Sequence, residues 1–142
     1  MKPLTKAVLF FNLAMPSAFA QDHIWVVTQK LDNDIVLSKQ EVRQIYLGIN
    51  IYLSDDVTSS AITLSRKNRV RSQFNAQVIG LTESRLQSYW AHMRFSGRNK
   101  PPKEYDSIPS LLEHITTNKG SIGYVPAQTV LPENVVVIYP EN

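Results

Sequence analysis

Cysteine is absent from the 142 residues of the chain. Its absence excludes a disulfide framework, thiol catalysis, thiolate metal sites and a lipid anchor on an N-terminal cysteine. Stability must therefore come from an ordinary hydrophobic core. The apolar content of 43% is sufficient to build one.

The sequence also has no apolar run of the ~20 residues that a transmembrane helix requires. The apolar stretch of residues 7–15 follows Lys2 and Lys6 and precedes the small-x-small triplet of residues 18–20. A basic start, a short apolar region and such a triplet are typical of a secretory signal peptide. We expect cleavage before Gln21 and a periplasmic protein that is not embedded in the membrane.

The expected domain organisation is a cleaved signal peptide, residues 1–20, and one domain, residues 21–142. A domain of that size forms a single compact core. The chain has 15 basic and 12 acidic residues, and two of the lysines lie in the predicted signal peptide. The exported domain is therefore close to neutral, with a net charge of +1.

Short β-branched and aromatic runs predict strands. They lie at residues 23–28, 51–53, 61–64, 121–125 and 135–139. The last is continuously apolar, which is typical of a strand buried on both faces. Helix starts are indicated by Ser38 with Glu41, a capping box, and by Ser107 with Pro109 in the first turn.

Two further helices are predicted from about Arg69 and from Thr82, because apolar residues there recur at helical spacing. Gly48 and Gly80 stand where a left-handed residue ends a helix. Strands that alternate with helices indicate an α/β fold with a mixed, mostly parallel sheet flanked by helices.

The charge is unevenly distributed along the chain. Residues 66–103 contain nine basic residues and a single acid, Glu83, a net charge of +8. The rest of the exported domain must then carry about −7, so that the molecule is polarised rather than basic overall.

The densest part of this segment joins a predicted strand to the next helix and predicts an anion site formed by Arg66, Asn68, Arg69, Arg71 and Ser72. Ligands bind at such junctions in open α/β sheets. Each cation at a positive helix N-terminus costs about 0.3–1 kcal/mol, which a bound anion would offset. Two alternatives stay open: the side chains are solvated and screened by salt, or they contact an acidic protein surface.

A second basic group, from Arg94 to Lys103, spans the proline pair of residues 101–102, and the same alternatives stay open for it. Its loop contributes Ser96, Gly97 and Arg98 as secondary candidates for anion binding.

No pattern indicates catalysis, a metal or a cofactor. The three histidines are scattered without metal-ligand spacing, and no nucleophile elbow, P-loop or dinucleotide fingerprint is present. The aromatic pair Tyr89-Trp90 lies on the apolar stripe of a predicted helix, which favours core packing over stacking on nucleic acid. We expect a binding protein rather than an enzyme, with no nucleic-acid partner.

Three separated motifs resemble the phosphate-type periplasmic solute-binding proteins, in particular a short, single-lobe branch of that family. They are residues 41–48 (EVRQIYLG), 88–98 (SYWAHMRFSGR) and 120–125 (GSIGYV). The resemblance covers nearly all of the predicted mature chain in the same order. It implies one periplasmic-binding-protein-like lobe, half of a two-lobed subunit that closes on phosphate.

In the full-length relatives, the junction carries an arginine, an acid and a Ser-Gly-Thr turn around the phosphate. Arg66 matches the arginine and Ser72 falls near the threonine, whereas Asn68 replaces the acid and residues 69–71 replace the Ser-Gly portion. The resemblance implies phosphate or another anion as ligand, and an ABC permease or the periplasmic domain of a membrane sensor as partner. A homodimer could supply the wall that a single lobe lacks. The alternative is a protein interaction module on the same fold, without a small ligand.

Overall fold

The computed structural model describes Pro3, residues 23–97 and residues 99–141. Apart from Pro3, the predicted signal peptide lies outside these residues, as do its cleavage position before Gln21 and the site candidate Arg98. None of the helices in the described part is long and apolar enough to cross a membrane.

Five strands form one mixed sheet in the order β5-β4-β6-β1-β7, and β2 and β3 form a separate hairpin. β4 runs parallel to β5 and β6, whereas β1 runs antiparallel to β6 and β7. The strands are β1 (Ile24–Gln29), β2 (Tyr52–Ser54), β3 (Val57–Thr58), β4 (Ser60–Leu64), β5 (Lys103–Tyr105), β6 (Ser121–Pro126) and β7 (Val135–Tyr139).

Four α-helices flank the sheet, which confirms the α/β class. They are α1 (Lys39–Tyr46), α2 (Arg69–Phe74), α3 (Glu83–Phe95) and α4 (Ile108–Thr117), and a π-helical segment, Asn75–Ile79, continues α2 directly.

The predicted caps are confirmed. Ser38 and Glu41 form a reciprocal capping box at the start of α1, and Ser107 caps α4. Gly48 and Gly80 adopt positive φ angles of 95° and 72°, so both occupy the left-handed region expected at helix ends.

The central strand β6 shows how helices cover both faces of the sheet. Gly123 and Tyr124 are consecutive, so their side-chain positions face opposite sides. A Cβ at Gly123 would lie 2.7 Å from Leu111 Cδ2 on α4. Tyr124 instead contacts Phe74 of α2 and Tyr46 of α1. α4 therefore covers one face, and α1 and α2 cover the other.

The prediction that the last strand is buried on both faces is wrong. β7 is an edge strand, paired only with β1, and Val136, Val137 and Tyr139 are partly buried. The strand that is buried along almost its whole length is β6. A continuous apolar run cannot distinguish the two positions, because strand order depends on contacts between distant segments.

Each edge of the sheet carries charges of both signs. Arg66 and Lys67 follow the end of β4. Asp32 follows the end of β1, which is the edge where β4 and β6 begin, since Thr28 pairs with Ile122 and Ser60 with Ser121. Asp32, Asp55 and Asp56 line one depression at that edge, together with two lysines.

Candidate functional site

A cavity of about 300 Å³ opens at the carboxyl end of β4. One wall is a face of α3, where Leu86, Gln87, Trp90 and Arg94 line the cavity at helical spacing. Phe74 of α2 and its continuation in the π-helical segment form a second wall. Arg66, Glu104 and the proline pair of residues 101–102 complete the rim.

The buried guanidinium of Arg71 organises this cavity. Arg71 is only 5% exposed. Its Nε donates to Glu83 Oε2 at 3.0 Å, and Nη2 donates to Glu83 Oε1 at 2.6 Å. Nη1 donates to the Leu64 carbonyl oxygen and to Glu104 Oε1, both at 2.9 Å. These four bonds join the end of β4 to β5 and α3 and hold the arginine in place.

Glu83, at the start of α3, is the centre of the network. Besides Arg71, its carboxylate accepts hydrogen bonds from Asn75 Nδ2 at 2.8 Å and from Gln87 Nε2 at 2.6 Å. Asn75 begins the π-helical segment and is buried. π-helical turns are rare and occur frequently at functional sites.

The contacts shift two pKa values in the directions that favour the charged forms. Burial alone would lower the pKa of Arg71, but the hydrogen bonds and charge of Glu83, followed by the hydrogen bond to Glu104, raise it overall. Burial would raise the pKa of Glu83, yet hydrogen bonds from Arg71 and Gln87 and the charge of Arg71 lower it. The pair is therefore ionised at neutral pH.

Arg66 is held much more loosely than Arg71. Its Nε lies 3.7 Å from Glu104 Oε1 and 3.9 Å from Glu83 Oε1, and its side chain is 57% exposed. Ion pairs of this exposure contribute little to stability. The Arg66 guanidinium can therefore leave them at small cost.

The structure separates the five residues of the predicted anion site. Arg66 and Arg71 line the cavity. The Asn68 side chain caps α2, where its Oδ1 accepts a hydrogen bond from the Val70 backbone N–H at 2.9 Å. Arg69 is exposed and does not belong to the cavity lining, and Ser72 lines a different depression beside residues 80–83.

The secondary candidates lie at the end of α3. Ser96 follows the helix, and its Oγ donates to the Met93 carbonyl oxygen at 2.9 Å. Gly97 has a φ of 68°, which fits a residue that ends a helix. Arg98 lies outside the described residues. Neither Ser96 nor Gly97 lines the cavity at the end of β4.

Sequence reasoning did not identify the acidic residues of the site. Glu83 was counted only as the single acid of a basic segment, and Glu104 lies just beyond it. The spacing of residues 83, 87, 90 and 94 on one helix face was the available signal, since it places an acid, an amide, an aromatic ring and a cation in one stripe.

His114 makes a local side-chain contact at another place. Its Nδ1 is hydrogen bonded to the Tyr105 hydroxyl, and Lys103 lies over the Tyr105 ring. No group of three or more metal-ligating side chains occurs among residues 23–97 and 99–141.

The fold is that of one lobe of a phosphate receptor. It is similar to the crystal structure of an ABC-type phosphate transport receptor from Vibrio cholerae, with a TM-score of 0.62 and 16% sequence identity over 82% of this chain and 45% of that chain. The chain thus spans less than half the length of that receptor, which confirms the predicted single-lobe architecture. At this identity the likeness shows the fold alone. No family model and no curated protein matches the sequence.

Proposed function

We propose that this protein is a non-catalytic periplasmic binding protein that holds an anion in the cavity at the end of β4. The observation that carries the proposal is the position of Arg66, Arg71 and Arg94, which line one cavity at the carboxyl edge of a phosphate-receptor-like lobe. Ligands of open α/β sheets bind at this edge. The predicted signal peptide supports export.

Arg66 and Arg94 are the groups that we expect to contact the anion, and Arg71 is expected to position them. Arg71 is locked to Glu83 and Glu104, whereas Arg66 is more than half exposed and Arg94 is exposed on α3. An anion that enters the cavity would compete with the two carboxylates for Arg66. Because the surface ion pairs of Arg66 are weak, that exchange costs little.

A single lobe leaves its ligand partly open to water. Binding pockets usually enclose 70–90% of a small ligand, which a two-lobed receptor achieves by closing. We propose that a second copy of the chain, an ABC permease or the periplasmic domain of a membrane sensor supplies the missing wall. A gene for a permease beside this gene would support uptake, and one for a sensor kinase would support signalling.

A protein interaction module is the alternative, and the exposed residues Lys67 and Arg69 favour it. They follow the end of β4 and do not line the cavity, so a small ligand in the cavity leaves them unused. An acidic patch of a periplasmic protein would contact both.

Isothermal titration with phosphate, sulfate and small organic anions tests the proposal. We expect heat of binding for the native protein and at least a tenfold loss for Arg66→Gln and Arg94→Gln. Arg85→Gln is the matched control, because Arg85 is an exposed arginine of α3 that does not line the cavity. No heat and no thermal shift at millimolar concentrations of any anion would rule out the small-ligand function.

The alternative needs its own assay. A Lys67→Glu, Arg69→Glu variant should lose a partner that the native protein captures from periplasmic extract, and high salt should release that partner. Capture that survives both changes would contradict an electrostatic interface at this edge.

A further inference from the structure

We propose that the ligand of the cavity is a small organic acid with one negative charge and a flat apolar body, such as an aromatic carboxylate, rather than an inorganic oxyanion. This inference rests on the proposed function and specifies its ligand. Three features of the cavity support it: its volume, its balance of charges and the apolar surface of α3.

The volume exceeds what a lone oxyanion would occupy. Pockets that enclose organic ligands span about 300–1,000 Å³, and the cavity, at about 300 Å³, lies at the lower end of that range. A tetrahedral oxyanion with five heavy atoms would leave most of this space to water. A monocyclic acid has more heavy atoms and would occupy more of it.

The charges around the cavity match a single negative charge. Three arginines and one carboxylate line it, and Glu83 lies behind Arg71 within hydrogen-bonding distance. The five groups together carry a net charge of +1. A doubly charged oxyanion would meet two fixed carboxylates at close range, whereas a monoanion would leave the site neutral.

Arg71 has few hydrogen-bond donors left for a ligand. A guanidinium has five N–H donors. Arg71 directs four hydrogen bonds to Glu83, Leu64 and Glu104, so it has at most one donor left for a ligand. Affinity must then come from Arg66, Arg94 and contacts with the apolar wall.

Apolar side chains of α2, the π-helical segment and α3 line the cavity together with the arginines. Leu86 and Trp90 lie one turn apart on α3, and Phe74 and Ile79 adjoin them from α2 and the π-helical segment. On the opposite rim, the prolines of residues 101–102 are partly buried and offer further flat apolar surface. A ring placed between the prolines and α3 would keep its carboxylate near Arg94, one turn beyond Trp90.

Matched probes separate the contribution of the ligand's apolar ring to the binding affinity from that of its charge. Benzoate has both, acetate has the charge without the ring, benzyl alcohol has the ring without the charge, and phosphate represents the inorganic oxyanion. We expect benzoate to bind at least tenfold more tightly than acetate, phosphate and benzyl alcohol. Titration calorimetry measures all four.

Fluorescence locates the bound ring. The chain has two tryptophans, and Trp25 on β1 does not line the cavity. In a Trp25→Phe background, benzoate should quench or shift the emission of Trp90, and acetate should not. Pro102→Ser should weaken the binding of benzoate at least threefold without changing the binding of acetate. Because Pro102 lies in a loop, the substitution leaves the core intact. Unfolding midpoints of the variants provide the control for stability.

The outcomes distinguish this inference from the function on which it depends. If phosphate or acetate binds as tightly as benzoate, the inference is wrong and anion binding stands. If benzyl alcohol binds as tightly as benzoate, the inference that the ligand carries a negative charge is wrong. If none of the probes binds, both the inference and the proposed anion-binding function are overturned.

Discussion

The rings of Phe74 and Tyr124 are stacked, with their centroids 3.9 Å apart and their planes 6° from parallel. The stacking holds α2 against the central strand. It also directs the Tyr124 hydroxyl to β4, where it contacts Thr63 Oγ1 at 2.8 Å and accepts a hydrogen bond from the Leu64 backbone N–H at 3.1 Å. The same tyrosine therefore fixes a helix and the strand end from which the cavity opens.

Tyr124→Phe should destabilise the protein by about 1–3 kcal/mol, because it keeps the stacked ring but leaves the buried Leu64 N–H without its acceptor. Urea unfolding followed by circular dichroism measures the change. Tyr52→Phe is the control, since Tyr52 is 79% exposed. Equal stability of the two variants would show that the hydroxyl contributes nothing at this position.

Arg71→Gln should destabilise the fold by about 3 kcal/mol, the lower end of the range for broken buried ion pairs. The lower end applies because Glu83 and Glu104, the carboxylates left behind, are 34% and 44% exposed. Arg69→Gln is the matched control and should change the free energy of unfolding by less than about 0.5 kcal/mol. A larger loss of unfolding free energy for Arg69→Gln than for Arg71→Gln would contradict the structural role assigned to Arg71.

Gly123→Ala should destabilise the protein by about 1–3 kcal/mol through overpacking. The new methyl group would lie 2.7 Å from Leu111 Cδ2 and 2.9 Å from Ile115 Cδ1, so these buried side chains, or α4 with them, must shift. Gly80→Ala meets no neighbouring atom and is strained only by its positive φ. A crystal structure of Gly123→Ala in which Leu111, Ile115 and α4 all keep their positions would contradict this mechanism.

The free energy of unfolding should decrease in two steps as the pH is lowered. Burial, followed by the charge of Lys103, lowers the pKa of His114 in the folded protein. The unfolded chain therefore binds the proton more readily, and stability is lost as pH falls below about 6.5, the ordinary histidine value. The lowered pKa of Glu83 acts in the same direction below about 4.3, the ordinary glutamate value.

Urea midpoints between pH 8 and pH 2 would resolve these steps. His114→Gln should remove the upper step and leave the lower one. A native protein whose midpoint rises as pH falls from 7 to 5 would contradict the assigned direction for His114.

Local signals in the sequence were sufficient for most of the elements but not for the site. The capping box of Ser38 and the cap at Ser107 involve residues within one helical turn, so the sequence determines them directly. β5 was missed, because Lys103–Tyr105 is short and polar and is a strand only through its pairing with β4.

The arginine site shows the same limit. Sequence reasoning placed Arg66 and Arg71 together and expected an external anion to offset their charge. For Arg71 the structure instead provides Glu83 and Glu104, which lie 12 and 33 residues away in the chain. A pattern confined to one segment cannot reveal carboxylates that reach it from two other elements.

The exposed Arg66, Lys67 and Arg69 at the end of β4 give the molecule a preferred orientation near a charged surface. A charged surface would turn the molecule before contact, so that a negative surface meets the end of β4 that carries the cavity. Adsorption to a cation-exchange resin at neutral pH should accordingly be stronger than the net charge of +1 for residues 21–142 implies, and it should leave Asp32 pointing toward the solution.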